Sequence, residues 1–428
     1  MLSNFKLQTL KQKLWAIVAA SFITRVIMFF VLPNTPSSLG PDEGTYAFLT
    51  KWIGESKSAD EFPAYGQGLY LSGRTIIVPA SLLYRIGINE LDAVRLVSTI
   101  YGLCTLILVV CLVLRLYKAD MGGLLDREFD GHLVVGLVAL FAFLPSHFVW
   151  SNLGLRESAT EFWILATFGF FFMLYHFQKK ITALGIVALV ASVSLVFGSR
   201  PQVGWVIGVS LIAYLLFNLN RIDSYFIIAL ILCGVTLGSL WTYGSPTSTT
   251  STTSTTNLLQ QLFTPLTNSG ELVTSKQSDN QLEAESVIEP PLCPTENLAE
   301  VSSQRPKFDT YFCIAWRAPY MVSTFLFRPI LGEEITSTSS LIAAFENLVW
   351  VSLFAAIFVL LIRRRKISFL GPILPALTFF GLYVLGASAY QGNMGTGFRH
   401  KSLILWVVLL LIFTLTWRKT ETIEKIQE

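Results

Sequence analysis

Residues 96–114 read LVSTIYGLCTLILVVCLVL, an apolar run without a charged side chain. A helix needs about 20 mostly apolar residues to cross the hydrocarbon core of a bilayer, because its backbone N–H and C=O groups must bond to each other within the segment. This run is long enough, and similar runs recur along the 428 residues. The sequence therefore predicts an all-α polytopic membrane protein.

The composition supports the same class. Hydrophobic residues make up 53% of the chain and charged residues 14%, with a mean hydropathy of +0.58, whereas soluble domains carry about 25% charged residues. These values exclude a soluble multidomain protein, a disordered chain and a disulfide-dense secreted scaffold. The net charge of +3 is too small to indicate a nucleic-acid partner, so none is predicted.

The apolar runs predict about ten transmembrane helices. A shorter segment, 76–88, contains Pro79 and Arg85 and is expected to be interfacial or re-entrant. The ten predicted spans are 15–32, 96–114, 133–149, 160–177, 182–198, 203–219, 224–242, 341–362, 368–389 and 402–417.

The placement of Lys and Arg predicts the orientation. Sixteen of the 31 basic residues fall in short segments on the side of the N-terminus, and fourteen are spread over the much longer opposite side. Because cytoplasmic loops are rich in Lys and Arg, both termini are expected in the cytoplasm, with the bacterial cytoplasmic (inner) membrane favoured. The chain is then a single membrane domain, 1–428, with outer loops 33–95 and 243–340, the second Ser/Thr-rich at its start.

An acidic pair, Asp42 and Glu43, follows the first span. Aromatic and aliphatic residues come next at helical spacing, which predicts an amphipathic helix on the membrane surface. A carboxylate placed there can act as a general base toward a substrate. The alternative is helix capping, since Asp is a favoured N-cap residue and acidic residues suit a first helical turn. The two roles are compatible.

Basic residues stand at the outer ends of several predicted spans, where the positive-inside rule disfavours them. A guanidinium presents a planar fork of donors that matches a phosphate, so the set indicates an anionic lipid phosphate at the outer headgroups. The alternatives are snorkelling and pairing with Glu157 or Glu161. The residues are Arg74, Arg156, Arg200, Arg399 and Lys401, with His147 and His400 beside them.

Three ionisable residues fall within or beside predicted spans: Arg25, Glu161 and Glu346. Intramembrane charges are costly and often functional, but a structural pair between Arg25 and one of the glutamates explains them equally well. Cys293 and Cys313 are a disulfide candidate in an oxidising compartment. No metal-binding spacing and no nucleotide-binding motif occurs in the sequence. No cofactor is predicted; a divalent metal stays open but is not indicated.

Taken together, these motifs resemble the GT-C superfamily of membrane glycosyltransferases, in particular its protein-mannosyltransferase and aminoarabinose-transferase-like (family 39-like) members. The resemblance covers roughly residues 10–220 and, more weakly, 340–417. It is carried by Gly40-Pro41-Asp42-Glu43-x-x-Tyr46, Tyr70-x-x-Gly73-Arg74, Leu144-Pro145-Ser146, Arg156-Glu157, Ser199-Arg200-Pro201 and Gly395-Thr396-Gly397-Phe398-Arg399-His400.

The resemblance implies transfer of a sugar on the outer face of the membrane. The donor would be a polyprenyl-phosphate-linked sugar, and the acceptor hydroxyl would belong to a lipid-linked molecule, a glycan or a protein. Asp42 would be the general base, and Glu43 would position the substrate or the base. The substrate-binding residues would be Tyr46, Arg74, Arg156 and Glu157, with Arg200, Arg399 and His400 toward the lipid phosphate.

Other functions stay open at this point. A polysaccharide polymerase of the O-antigen type also acts on lipid-linked sugars outside, but it would favour paired Arg-rich outer loops. A transporter or flippase for lipid-linked sugars would show repeats and broken helices in both halves, and only Pro201 and Pro375 indicate such breaks. A non-enzymatic scaffold or assembly factor is a further alternative.

Overall fold

The computed structural model describes most of the predicted membrane region. The described residues are 2–36, 42–57, 64–119, 127–128, 131–177, 182–217, 222–243, 307–329, 338–363, 373–390, 394–416 and 418–419.

Nearly all of these residues are helical. Two strands of two residues each, β1 (Arg127–Glu128) and β2 (Arg418–Lys419), pair in antiparallel fashion. A π-helical turn, Met173–Phe177, continues the seventh helix. The helices are α1 (Leu2–Val31), α2 (Glu43–Gly54), α3 (Ala64–Arg85), α4 (Glu90–Ala119), α5 (Gly131–Phe143), α6 (Pro145–Phe148), α7 (Glu157–Phe172), α8 (Ala183–Ser199), α9 (Pro201–Leu216), α10 (Ile222–Tyr243), α11 (Lys307–Phe327), α12 (Thr338–Arg363), α13 (Leu374–Tyr390) and α14 (Met394–Thr416).

The described parts of the predicted spans are mainly helical. By length and composition, five described helices are able to cross a membrane: Gln8–Val31, Glu90–Leu116, Glu157–Tyr175, Ser340–Arg363 and Phe398–Thr416. The other five predicted spans contain shorter apolar helices. The class of integral, multi-pass helical membrane protein is therefore confirmed. The count of ten spans, the cytoplasmic termini and the inner membrane stay predictions.

Three stretches differ in detail from the sequence prediction. Residues 133–149 form two helices, because Leu144 has extended backbone (φ −62°, ψ 131°) and proline disfavours the helical conformation in the residue before it. The segment 76–88 largely belongs to the longer helix α3, which contains Pro79; its interfacial or re-entrant placement stays a prediction. Helix α11 lies within residues 243–340, the predicted second outer loop, for which the sequence analysis predicted no helix.

The chain forms two compact units. The first comprises Met1–Gly244, Leu353–Phe379 and Ser402–Glu428, and the second comprises Ser245–Ser352 and Phe380–Lys401. In the first unit α2 packs on α3, α7 packs on α4 and α8, and α8 packs on α10.

Aromatic rings fill part of the first unit's core. The Phe168 ring on α7 lies 5.0 Å from the Trp406 ring and 5.5 Å from the Phe379 ring, measured between centroids. All three side chains are buried. Such offset and tilted ring pairs stabilise packing beyond the area they bury, so this cluster fixes α7 within the first unit.

A buried polar cluster organises the second unit. The Lys401 ammonium is fully buried and donates to the carbonyl of Arg328 (3.1 Å) and to Asn347 Oδ1 (2.6 Å). Glu346, an intramembrane acid by sequence, accepts a hydrogen bond from Trp350 Nε1 (2.9 Å) and acts electrostatically on Lys401. Buried charges need such partners, so these contacts account for Lys401 and Glu346 structurally.

Candidate functional site

The two adjacent acids at the start of α2 have different surroundings. Asp42 occupies the N-cap position and is half-buried, yet within the described residues 42–57 its side chain makes no capping hydrogen bond. Capping therefore does not account for this carboxylate. Glu43, the next residue, is fully buried.

Glu43 is held by Arg95 of α4. Arg95 Nε lies 2.7 Å from Glu43 Oε1 and Arg95 Nη2 lies 3.0 Å from Oε2, so the pair is bidentate. Glu43 Oε1 also accepts the backbone N–H of Gly154 (3.1 Å). Arg95 in turn donates to the carbonyls of Pro33 (2.7 Å) and Thr35 (3.1 Å). These contacts tie the start of α2 to three other parts of the first unit. A catalytic role for Glu43 stays a prediction, and its contacts are those of a positioning residue.

Tyr46 stands one helical turn after Asp42 and is almost completely buried. Its ring lies against α3, where a Cβ on Gly73 would come within 2.8 Å of Tyr46 Cε1. Burial raises the pKa of Tyr46 to about 12, and Arg156, Glu157, Asp42 and Arg200 act on its hydroxyl electrostatically. The Tyr46 hydroxyl therefore has all four of these predicted site residues in its surroundings.

The starts of α7 and α9 supply three of the four charged residues that act on Tyr46. Arg156 is the N-cap residue of α7 and donates to Ser72 Oγ on α3. Arg200 Nη2 donates to Glu157 Oε1 at 2.6 Å. Arg200 is extended (φ −155°, ψ 96°) because Pro201 follows it, which confirms the predicted break between α8 and α9. The alternative to phosphate binding by Arg200 is pairing with a glutamate, and the structure shows this pair.

Arg74 is buried on α3, directly after Gly73. Its guanidinium carbon lies 5.1 Å from the centre of the Tyr70 ring, a cation–π distance. Burial lowers the pKa of Arg74. Tyr70 and Arg74 of the Tyr70-x-x-Gly73-Arg74 motif thus contact each other. Gly73 of the same motif lies against the Tyr46 ring.

We name the group Asp42, Tyr46, Arg156, Glu157 and Arg200 the α2–α7 cluster. The structure brings these predicted residues together in the first unit. Glu43, the residue after Asp42, is bound by Arg95.

The other predicted residues are not part of the α2–α7 cluster as described. Arg399 and His400 belong to the second unit, and their role in a site stays a prediction. Cys293 lies outside the described residues, and only the helical backbone of Cys313 is described, so the disulfide also stays a prediction. Among the described residues no group of three or more His, Cys, Asp or Glu is arranged to hold a metal ion.

Sequence reasoning missed Arg95, Ser72 and Gly154. Arg95 carried a usable signal, since it is a basic residue at the predicted outer end of a span, in the same predicted outer loop as Asp42 and Glu43. Ser72 and Gly154 carried none, because their partners are 84 and 111 residues away in sequence.

The fold and site define an integral, multi-pass helical membrane protein in which two acidic and two basic side chains act electrostatically on a buried tyrosine. Comparison with protein-family models and with curated proteins found no match. Among solved structures, the chain is similar to ArnT from Cupriavidus metallidurans in the apo state. The TM-score is 0.40 and the identity 15%, over 93% of this chain and 77% of that chain.

Proposed function

We propose that the chain is a membrane glycosyltransferase of the GT-C type. It moves a sugar from a polyprenyl-phosphate-linked donor to an acceptor hydroxyl on the outer face of the membrane. The observation that carries the proposal is the α2–α7 cluster: residues from the first outer loop and from the starts of α7 and α9 act on one buried hydroxyl, that of Tyr46. All five residues are among the nine site residues that the sequence motifs indicated.

Asp42 is the proposed general base. A carboxylate takes the proton of the acceptor hydroxyl as its oxygen attacks the anomeric carbon of the sugar. The bond between that carbon and the phosphate oxygen breaks, and the lipid phosphate leaves with the bonding electron pair. Asp42 suits this role because it is half-buried and is not used as a helix cap within the described residues 42–57.

Arg156 and Arg200 are the proposed groups that stabilise the negative charge of the leaving phosphate. Preorganised cationic donors in a water-poor site contribute strongly to such stabilisation. A guanidinium carries five N–H donors in a fixed fork, so the hydrogen bond from Arg200 to Glu157 is compatible with a phosphate as a further partner. Ser72 and Glu157 orient the two arginines through the bonds described above.

Tyr46 is the proposed neutral donor of the site. Because its pKa is raised to about 12, the phenol keeps its proton at neutral pH and can donate a hydrogen bond to Asp42 or to a substrate oxygen. No nucleotide-binding element is required in this scheme, since the lipid carries the activated sugar. The acceptor class, whether lipid-linked, glycan or protein, stays open.

The donor class is tested with purified protein in phospholipid vesicles. Vesicles containing a polyprenyl-phosphate sugar, radiolabelled in the sugar, should release polyprenyl phosphate when a membrane extract supplies the acceptor. A nucleotide sugar carrying the same label should give no product. Translocation of the labelled lipid across the vesicle without cleavage would contradict the proposal and favour a flippase.

A further inference from the structure

Residues 144–156 connect α5 to α7 and end at the α2–α7 cluster. This connecting segment contains the four-residue helix α6 and a series of turns, and it ends at Arg156, the N-cap of α7. Arg156 and Glu157 are the two cluster residues whose positions it determines. The backbone hydrogen bonds within this segment are local and join residues two to four apart, so contacts with other helices must fix where the segment lies.

Arg25 of α1 holds the middle of the connecting segment. Its guanidinium is fully buried and donates from Nη1 to Ser151 Oγ and from Nε to Ser21 Oγ (3.2 Å). The same group lies over the ring of Phe148, 5.1 Å from its centre. On the other side α4 allows close contact, because a Cβ on Gly102 would come within 2.4 Å of Ser151 Cβ.

Glu161 of α7 holds the start of the same segment through His147. His147 Nδ1 lies 2.8 Å from Glu161 Oε2, and both side chains are buried. Glu161 also acts electrostatically on Arg25. Residues four apart share one face of a helix, so Glu161 lies one helical turn after Glu157, the partner of Arg200, on the same face of α7.

Charge balance links the three residues. The positive charge of Arg25 and the negative charge of Glu161 offset each other within the buried group. Three polar atoms, Arg25 Nη2, His147 Nε2 and Glu161 Oε1, are buried without a hydrogen-bond partner in the part of the chain that the structure describes. Apolar residues of similar volume often give equal or greater stability at such positions. Global stability alone therefore does not explain this group.

From these contacts we infer that Arg25, His147 and Glu161 are positioning residues, which fix the connecting segment and thereby align Arg156 and Glu157. This inference deepens the proposed glycosyl transfer. Its kinetic test, but not its structural test, rests on that proposed function. The residues touch no reacting group. They act through the segment, in which a misplacement of about 1 Å is enough to lower a turnover rate about a hundredfold.

The first test needs no substrate. Hydrogen–deuterium exchange of the amides in residues 149–156 is measured for the wild type, Glu161→Gln and Arg25→Met. Exchange in each single variant should be faster by about tenfold or more, because local opening becomes easier. The matched control is Glu346→Gln, another buried intramembrane acid, which should leave exchange in this segment unchanged. Unchanged exchange in both Glu161→Gln and Arg25→Met would overturn the inference.

The second test separates alignment from folding. In the transfer assay, kcat of each single variant should fall about tenfold to a hundredfold, while KM changes less than about threefold. The double variant Arg25→Met/Glu161→Gln removes both charges and should recover part of kcat, since neither charge is then left unbalanced. If the fold-reduction of kcat in the double variant equals the product of the two single reductions, the charge balance is overturned. Absence of transfer by the wild type would instead overturn the proposed function and leave the exchange result to decide the inference.

Discussion

At the scale of the residue, two neighbouring acids have opposite environments. Glu43 is buried and bound by Arg95 and by the backbone of Gly154, whereas Asp42 is half-buried beside Tyr46. Both carboxylate oxygens of Glu43 are held by Arg95, which suits a positioning role better than contact with an acceptor hydroxyl. The structure thus separates a proposed base from the residue that positions it.

Removing Arg95 should destabilise the fold strongly. Arg95→Met leaves Glu43 as an uncompensated buried charge, which costs about 3–5 kcal/mol in comparable pairs. The free energy of unfolding in detergent, followed by circular dichroism against denaturant, measures this loss. The double variant Arg95→Met/Glu43→Leu should lose less than Arg95→Met alone. Equal stability of Arg95→Met and the wild type would show that the pair contributes nothing.

Tyr46 should make the fold sensitive to alkali. Its pKa is raised from 10.0 to about 12, so between these values the unfolded chain has lost the phenol proton while the folded chain keeps it. The unfolded state then binds fewer protons, and the free energy of unfolding falls as pH rises. The contribution is complete below pH 10 and amounts to about 3 kcal/mol at most.

Comparison of the wild type with Tyr46→Phe isolates this effect. The wild type should lose stability between pH 10 and 12 more steeply than the variant, in unfolding experiments at fixed ionic strength. Parallel stability curves for the two proteins over this range would contradict the assignment of a buried, protonated Tyr46.

At the scale of the element, the packing of α2 on α3 places the cluster. Arg85 at the end of α3 donates to the carbonyls of Gly54 (3.1 Å) and Ile53 (3.2 Å), which lie at the C-terminal end of α2. Nearer the other end, Gly73 leaves room for the Tyr46 ring. The two helices are thus joined at one end by the hydrogen bonds of Arg85. Nearer the other end they pack closely because Gly73 has no side chain.

Gly73→Ala should displace the Tyr46 ring. The added methyl group would lie 2.8 Å from Tyr46 Cε1 and 3.0 Å from Ile77 Cδ1, and overpacking of this kind costs about 1–3 kcal/mol. We expect a lower unfolding free energy and slower transfer. Gly136→Ala on α5 is the matched control, because a Cβ there meets no atom within 4 Å. A stability of Gly73→Ala equal to that of the control would contradict this packing.

Element identity was predictable, whereas element pairing was not. Long apolar runs predict helices because the bilayer admits few other structures, and Pro201 predicted the break before α9 correctly. Pro145 carried the same signal, but the apolar residues around it led to one predicted span where two helices occur. Polar and charged residues in Lys307–Phe327 reduced the apolar signal that would have marked α11. Contacts such as Glu43–Arg95 depend on tertiary packing, which helical periodicity does not specify.

At the scale of the whole molecule, apolar surface and buried charge are arranged as a bilayer requires. Large apolar side chains such as Phe30, Leu184 and Phe217 are exposed, while Arg25, Arg95 and Lys401 are buried with polar partners. In water, a large exposed apolar surface marks an interaction site; on these apolar helices it matches contact with lipid. Charged residues make up only 14% of the chain, yet several of them are buried in the interior.

The most direct test of the central claim is the transfer rate of Asp42→Asn in vesicles with a radiolabelled polyprenyl-phosphate sugar. We expect the rate to fall at least about a hundredfold, with membrane insertion and unfolding free energy as in the wild type. Glu55→Gln, at the exposed far end of α2, should retain the wild-type rate. Transfer by folded Asp42→Asn at the wild-type rate would contradict the assignment of Asp42 as the base and, with it, the proposed chemistry of the α2–α7 cluster.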